Sequence, residues 1–228
     1  MNDKTSPIEE AKGAAAPEDQ PAMRRTPSQS RSRERVERML SCATEQIAEK
    51  GSDALRMSEV ARLAGVSIGS LYQYFPDKSA IVRTLAERYH AECQACIGAE
   101  LAEVHTLDEL CDAFGGLIDI YYDLFLAEPV MRDILSATQA DKALRDLEIA
   151  NSRANGALLA AAMGRLWPEA DRQELDSVAF LIMTLGEATM RLAVSVEDAE
   201  GAVLVAAYKR MVLMELRRPR DQSNIRRD

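Results

Sequence analysis

"MSEVARLAGVSIGSLYQYFPDKSAIV", residues 57–82, decides how the rest of this 228-residue chain is read. Short apolar patterns flank Gly65 on both sides. Val60, Ala61 and Leu63 predict one helix over Ser58–Leu63, and Ile68, Leu71 and Phe75 give a second helix, ending near Tyr74, its inward face. Gly65 supplies the permissive backbone of a tight corner, Val66 plugs it, and Ser67 brings a hydroxyl to the N-cap of the next helix. Pro76 stops that helix and Asp77 caps a fourth. Ala61 stands where the two short helices cross, and a larger group there would wedge them apart. Helix, three-residue turn, helix, behind a supporting first helix, is a helix-turn-helix layout.

The outward residues of the second short helix are Gly69, Ser70, Gln73 and part of Tyr72 and Tyr74. A mid-helix glycine costs up to about 1 kcal/mol against alanine. Close approach to a flat surface offsets that cost, because a slim helix enters a groove about 12 Å wide. Ser67 and Ser70 can donate to phosphate or base edges, and Gln73 is long enough to reach adenine. The tyrosines offer hydroxyls on rigid arms that suit a sugar–phosphate chain. Lys78, in the first turn of the fourth helix, opposes the dipole by about 0.3–1 kcal/mol, whereas amide groups beside an ammonium grip a phosphate. Singly, each of these residues is as readily a half-buried ring or a solvated charge. Their order carries the reading.

Charge divides along the chain. Residues 24–90 hold twelve basic and eight acidic groups, net +4, while residues 91–228 hold fourteen and twenty-four, net −10. Residues 1–23 add two basic and five acidic groups, so the whole chain stands at −9. A basic front with an acidic body suits a protein that meets a polyanion with one end. Residues 1–30, with Pro7, Pro17, Pro21 and Pro27, are expected to be a disordered arm. Its end is basic through Arg24, Arg25, Arg31, Arg33 and Arg35. A low aromatic content of 5% and only 11 glycines disfavour a β architecture, and no apolar run reaches the length of a membrane span. Cys42, Cys93, Cys96 and Cys111 lack histidines at metal spacing and read as reduced thiols of a cytoplasmic protein. No cofactor or metal is expected.

An apolar stripe at Val36, Leu40, Ala43 and Ile47 predicts a first helix over Arg33–Lys50, stopped by Gly51. Beyond the fourth helix, Thr106 with Glu109 and Asp171 with Glu174 read as capping boxes, and Pro129 and Pro168 separate further helices. The expected fold is all-α with about nine helices. It divides into a helix-turn-helix domain over 31–77, a larger helical domain over 78–217, and a disordered tail over 218–228.

The 57–82 stretch resembles the TetR family of bacterial transcriptional repressors, matching at Ala61, Ala64–Ser67, Gly69–Tyr72, Tyr74–Phe75 and Lys78. The resemblance implies that the third helix reads the major groove and that Tyr72, Tyr74 and Lys78 contact phosphates. One position departs: the family often caps its second helix with threonine or serine, and Arg56 stands there. The nucleic-acid candidates are therefore Arg33, Arg56, Ser67, Ile68, Gly69, Ser70, Tyr72, Gln73, Tyr74 and Lys78.

The resemblance also implies a dimer and an effector pocket. A single reading helix makes too few contacts for specificity, and such modules pair across a palindrome. Val178, Ile182 and Leu185 of the eighth helix and Val205, Val212 and Leu216 of the ninth are the expected dimer stripe, although a chain of this size could bury both stripes internally. Phe114, Tyr121, Tyr122, Phe125, Met131, Met163, Trp167 and Met183, with Asn155, are the expected pocket lining; for each, ordinary core filling is as plausible. The implied function is a ligand-responsive repressor that leaves its double-stranded DNA operator on binding a small, mostly apolar or aromatic effector. An activator of the same fold and a helical protein–protein adaptor are the rival readings. An enzyme is disfavoured, since His90 and His105 are the only histidines and neither pairs with a nucleophile at a known spacing.

Overall fold

The computed structural model describes residues 30–137 and 142–218. Among them run nine α-helices: α1 Ser30–Lys50, α2 Met57–Leu63, α3 Ile68–Tyr74, α4 Lys78–Ala102, α5 Leu107–Ala127, α6 Pro129–Ala137, α7 Lys142–Leu166, α8 Arg172–Ala193 and α9 Asp198–Leu216. A 3-10 turn, Ser52–Ala54, joins α1 to α2. The expected leader and most of the tail lie outside the described residues. Of the expected basic arm, Arg31, Arg33 and Arg35 sit on the first turns of α1, exposed on a helix rather than on an extended strand.

Local chemistry closes each corner. Gly65 adopts φ 66°, where an L side chain would be strained. Its N–H donates to the Arg62 carbonyl at 3.3 Å and that of Val66 to the Ala61 carbonyl at 3.0 Å, the paired bonds of a Schellman turn. The Ser67 hydroxyl accepts from the Ser70 N–H, and Asp77 accepts from the Ala80 N–H at 2.8 Å. Thr106 and Glu109 form the full capping box expected of them. Asp171 instead accepts from the Gln173 N–H, at the second helical position, where a capping box would use the amide of Glu174 at the third.

The helices enclose two cores. In the head, Met39, Leu40, Val60, Leu71, Phe75 and Ile81 are fully enclosed. That core runs past residue 77: Ala80, Ile81, Val82, Leu85 and Ala86 of α4 belong to it, as do Val130 and Ile134 of α6 and Leu144 of α7. The Asp133 carboxylate of α6 accepts the Ser52 N–H at 2.7 Å, tying α6 to the turn before α2. In the body, α5, α7, α8, α9 and the far half of α4 surround Leu110, Leu159, Met163, Leu175 and Leu216. Here α7 and α8 pack most closely, and a Cβ on Gly156 would stand 3.0 Å from the Phe180 backbone. The 25-residue α4, about 37 Å long at 1.5 Å per residue, runs through both cores. Its Tyr89 packs against each of them.

The expected dimer stripe needs correction. Ile182, Val205, Val212 and Leu216 are buried in the subunit's own core and Val178 is half-buried; of the six residues only Leu185 is exposed. Both helices are apolar over much of their circumference, and the body takes one stripe from each. The outward stripe is Leu181, Leu185 and Leu192 on α8 with Val203, Met211 and Met214 on α9, the last 75% exposed.

Candidate nucleic-acid interface and internal cavity

Leu71, Tyr74 and Phe75 of the α3 region turn into the head core, which obliges the opposite side of the helix to face solvent. Gly69, Tyr72 and Gln73 form that side with Ser67 and Ile68, all exposed, while Ser70 is half-buried. A Cβ on Gly69 would meet nothing within 4 Å, so no protein neighbour requires glycine here. Arg33, Arg56 and Lys78 are also exposed.

Three expectations change on inspection. Ile68, assigned above to the inward face, is exposed, because the core is closed by Leu71 and Phe75 without it. Tyr74 is a core ring: it is buried, and its hydroxyl shares a 2.6 Å hydrogen bond with Ser32 Oγ of α1. It therefore fastens α1 to α3 instead of offering an outward arm. Lys78 Nζ donates to the Asp53 carbonyl at 3.0 Å. With the Asp77 carboxylate on the Ala80 amide and Lys78 turned to Asp53, the expected amide-and-ammonium phosphate grip is not assembled, although the ammonium remains exposed with further donors. Arg56 occupies the N-cap of α2 with no side-chain cap bond, as its chemistry dictates.

Between α4, α5, α8 and α9, with Asn155 contributed by α7, lies a cavity of about 190 Å³. Phe114, Tyr121, Asn155 and Met183 line it as expected. Tyr122, Phe125, Met131, Met163 and Trp167 do not. Phe125, Met131 and Met163 are wholly enclosed core residues, Tyr122 reaches toward Gly201 of α9, and Trp167 packs on the core at the end of α7. Side-chain bulk marks the core as readily as a void. The lining residues that sequence reasoning missed include Tyr89, Glu92, Cys93, Leu117, Glu187, Met190 and Tyr208. A signal existed for one of them: Glu187 is the single acid between Val178 and Met190 on an otherwise apolar helix.

Glu187 is 5% exposed, and its Oε2 accepts the Tyr121 hydroxyl at 2.9 Å. Burial pushes its carboxyl up to about 7 despite the bond from Tyr121; Glu148 adds to the rise and Arg191 opposes it. Burial, Glu187 and Cys93 together hold the Tyr121 phenol well above its usual range. The Cys93 thiol is pushed up to about 12 by burial and by Glu187, so it is neutral and a poor nucleophile. The Asn155 amide oxygen is buried without a hydrogen-bond partner.

The exposed, glycine-slimmed face of α3 in the head and the cavity in the body, with α4 running through both cores, agree with what family profiles find. Residues 39–85 match the profile of bacterial regulatory proteins of the tetR family. Residues 108–219 match the tetracyclin repressor-like C-terminal domain. The chain belongs to the TetR family. Among curated relatives of this TetR-family chain, the uncharacterized HTH-type transcriptional regulator YvdT of Bacillus subtilis (strain 168) is 30% identical over 108 residues, covering 44% of this chain and 49% of the relative. The chain thus spans about half the length of that relative. Solved structures share the fold at lower identity. FadR of Bacillus halodurans, described as a fatty acid degradation regulator, has a TM-score of 0.60 at 19% identity, over 81% of this chain and 97% of that one. RolR in complex with resorcinol has a TM-score of 0.56 at 20% identity, over 85% and 99%. A TetR-family regulator from Pectobacterium atrosepticum has a TM-score of 0.64 at 21% identity, over 81% and 93%. No helix among the described residues is long and apolar enough to cross a membrane.

Proposed function

We propose that this chain is a ligand-responsive repressor that binds a palindromic DNA operator as a homodimer and is released by a small, mostly apolar effector. The observation that carries the reading is the outward face of α3, where Gly69 stands in open space among exposed Ser67, Tyr72 and Gln73. A glycine that lowers helix propensity and packs against nothing has its reason outside the protein. The exposed stripes of α8 and α9 support pairing, since Leu181, Leu185, Val203, Met211 and Met214 would otherwise leave large apolar side chains in water. Two copies of both helices make a four-helix interface. Such pairing presents two reading helices to half-sites about 34–36 Å apart.

Coupling follows α4. Tyr89 lines the cavity and touches both cores, so an occupant that displaces it moves the helix on which the head rests. Lowering operator affinity about 100-fold requires near 2.7 kcal/mol of differential effector binding between the two states. The size of the cavity favours a single substituted ring, because an engineered cavity of about 150 Å³ holds benzene. By that measure the monocyclic resorcinol bound by RolR is nearer the right size than a long acyl chain. The chain is proposed to catalyse nothing.

Selection of random duplexes on the purified protein tests this reading. A two-fold symmetric motif is expected, with affinity falling steeply as salt rises. Gln73→Ala should relax preference at one position per half-site, whereas Lys78→Ala should weaken all duplexes alike. Recovery of no motif, with indifference to duplex DNA even in dilute buffer, would leave the adaptor reading in its place.

A further inference from the structure

We propose that the cavity takes a compact organic ammonium ion, an aromatic or alicyclic amine, whose N–H donors are received by Glu187 and Asn155. The assignment deepens the effector reading above and rests on it. Its first ground is what the lining lacks. Two carboxylates, Glu92 and Glu187, face this space, and no lysine, arginine or histidine does. An anionic ligand would enter uncompensated, at a cost that a buried charge does not recover without a partner. The second ground is the hydrogen-bond inventory. Two acceptors at the cavity have capacity to spare: the Asn155 amide oxygen has no partner, and the Glu187 carboxylate accepts a bond from Tyr121 at one oxygen. A ligand that completes them brings donors. Arg191, the nearest cation on the same helix, is paired with Glu148 and leaves Glu187 unneutralised.

The third ground is aromatic. Tyr89, Phe114, Tyr121 and Tyr208 line the space, and the Tyr208 hydroxyl is already donated to the Ile182 carbonyl at 2.6 Å, so what that residue offers a ligand is its ring. Aromatic faces around a carboxylate attract a cation more than a neutral isostere. Glu92, Cys96 and Ile120 are exposed and form the rim, where the Glu92 carboxylate draws a cation inward.

The groups facing Glu187 are Arg191 of its own helix and, from the neighbouring helices, Cys93 of α4, Tyr121 of α5, Glu148 of α7 and Tyr208 of α9. Of these only Arg191 is cationic, so an incoming ammonium is the group that ionises the carboxyl. Glu187 titrates near 7 among these groups. Binding at pH 6 should therefore release close to one proton and at pH 8.5 almost none. The amine itself remains charged across this range.

Isothermal titration of the full chain, without DNA, against three probes of one size decides the matter: 2-phenylethylamine, 2-phenylethanol and 3-phenylpropionate. The amine is expected to bind at least about tenfold tighter than the alcohol at pH 8, with the acid weakest. Its affinity should fall about 30-fold between pH 8 and pH 5.5 as Glu187 takes up its proton. Glu187→Gln, which keeps the shape, should erase both the amine preference and the pH dependence. Proton release, read from the dependence of the heat on buffer ionisation enthalpy, needs no variant. The proposal is overturned if the alcohol or the acid matches the amine, if the preference survives at pH 5.5 or in Glu187→Gln, or if none of the three binds. An amine that binds as described yet leaves operator affinity unchanged sinks the effector role and keeps the ammonium site. A neutral ligand that releases DNA does the reverse.

Discussion

The head and the body are both helical, yet they treat carboxylates in opposite ways. The head closes Met39, Leu71, Phe75 and Ile81 to solvent and keeps every carboxylate out of that core. The body encloses Glu187, the only buried carboxylate among the described residues, and keeps about 190 Å³ beside it. A tightly filled core transmits displacement as a unit, because close-packed interiors deform little. A core with room and an under-satisfied polar group can adopt a second arrangement once something fills it. The contrast puts the filled core beneath α3, the proposed reading helix, and the free volume at the proposed effector cavity, and α4 belongs to both.

Breaking the filled core should have the largest effect. Phe75→Ala removes a wholly enclosed ring and is expected to destabilise the fold by about 3–5 kcal/mol, seen in chemical denaturation as a lower midpoint at unchanged slope. A loss under 1 kcal/mol would mean the head is looser than described. Glu187→Gln addresses the body. The folded carboxyl titrates near 7 against 4.5 when free, so the native state binds more protons than the unfolded chain between these values. Stability therefore falls as pH rises through that window, by roughly 3 kcal/mol at pH 8. The glutamine variant should melt higher than the parent at pH 8 and nearly with it at pH 5. Equal melting at both values would show that the carboxyl is hydrated and the cavity wet.

Smaller effects sharpen the same comparison. Ser67→Ala deletes the cap on α3, whose hydroxyl accepts the Ser70 N–H at 3.1 Å, and should cost about 1 kcal/mol in thermal stability. Gly69→Ala has the opposite sign. With no atom within 4 Å of the new methyl, helix propensity alone should stabilise the protein by up to about 1 kcal/mol, while affinity for duplex DNA declines. Destabilisation by that change, in calorimetry, would place a neighbour where none is seen.

Much of the head is legible in the sequence because its determinants are local. Gly65, Ser67, Pro76 and Asp77 fall within thirteen residues, and each acts on backbone groups no more than a turn away. Tyr74 is the exception: its partner Ser32 lies 42 positions earlier, on another helix, and spacing along α3 does not disclose it. In the body the determinants are relational. On α8 and α9 nearly every direction carries an apolar residue, so only packing against α5 and α7 decides that Ile182, Val205 and Leu216 face inward and Leu181, Met211 and Met214 face out. Phe125 and Met163 look like pocket residues by type, yet both are wholly enclosed in the core. Tyr89 and Tyr208 line the space instead, through contacts that the sequence does not disclose.

The sequence by itself therefore determined the helices, the caps and stops at Gly51, Ser67, Pro76, Asp77 and Thr106, the corner at Gly65 and the outward slimness of α3, since caps, turns and periodicity act over a few residues of chain. The tertiary structure alone decided which apolar stripes remain exposed, that α4 and α6 complete the head core, and that Glu187 shares a cavity with Asn155 and Tyr121. Those outcomes depend on distances between residues far apart in the chain, which side-chain packing sets.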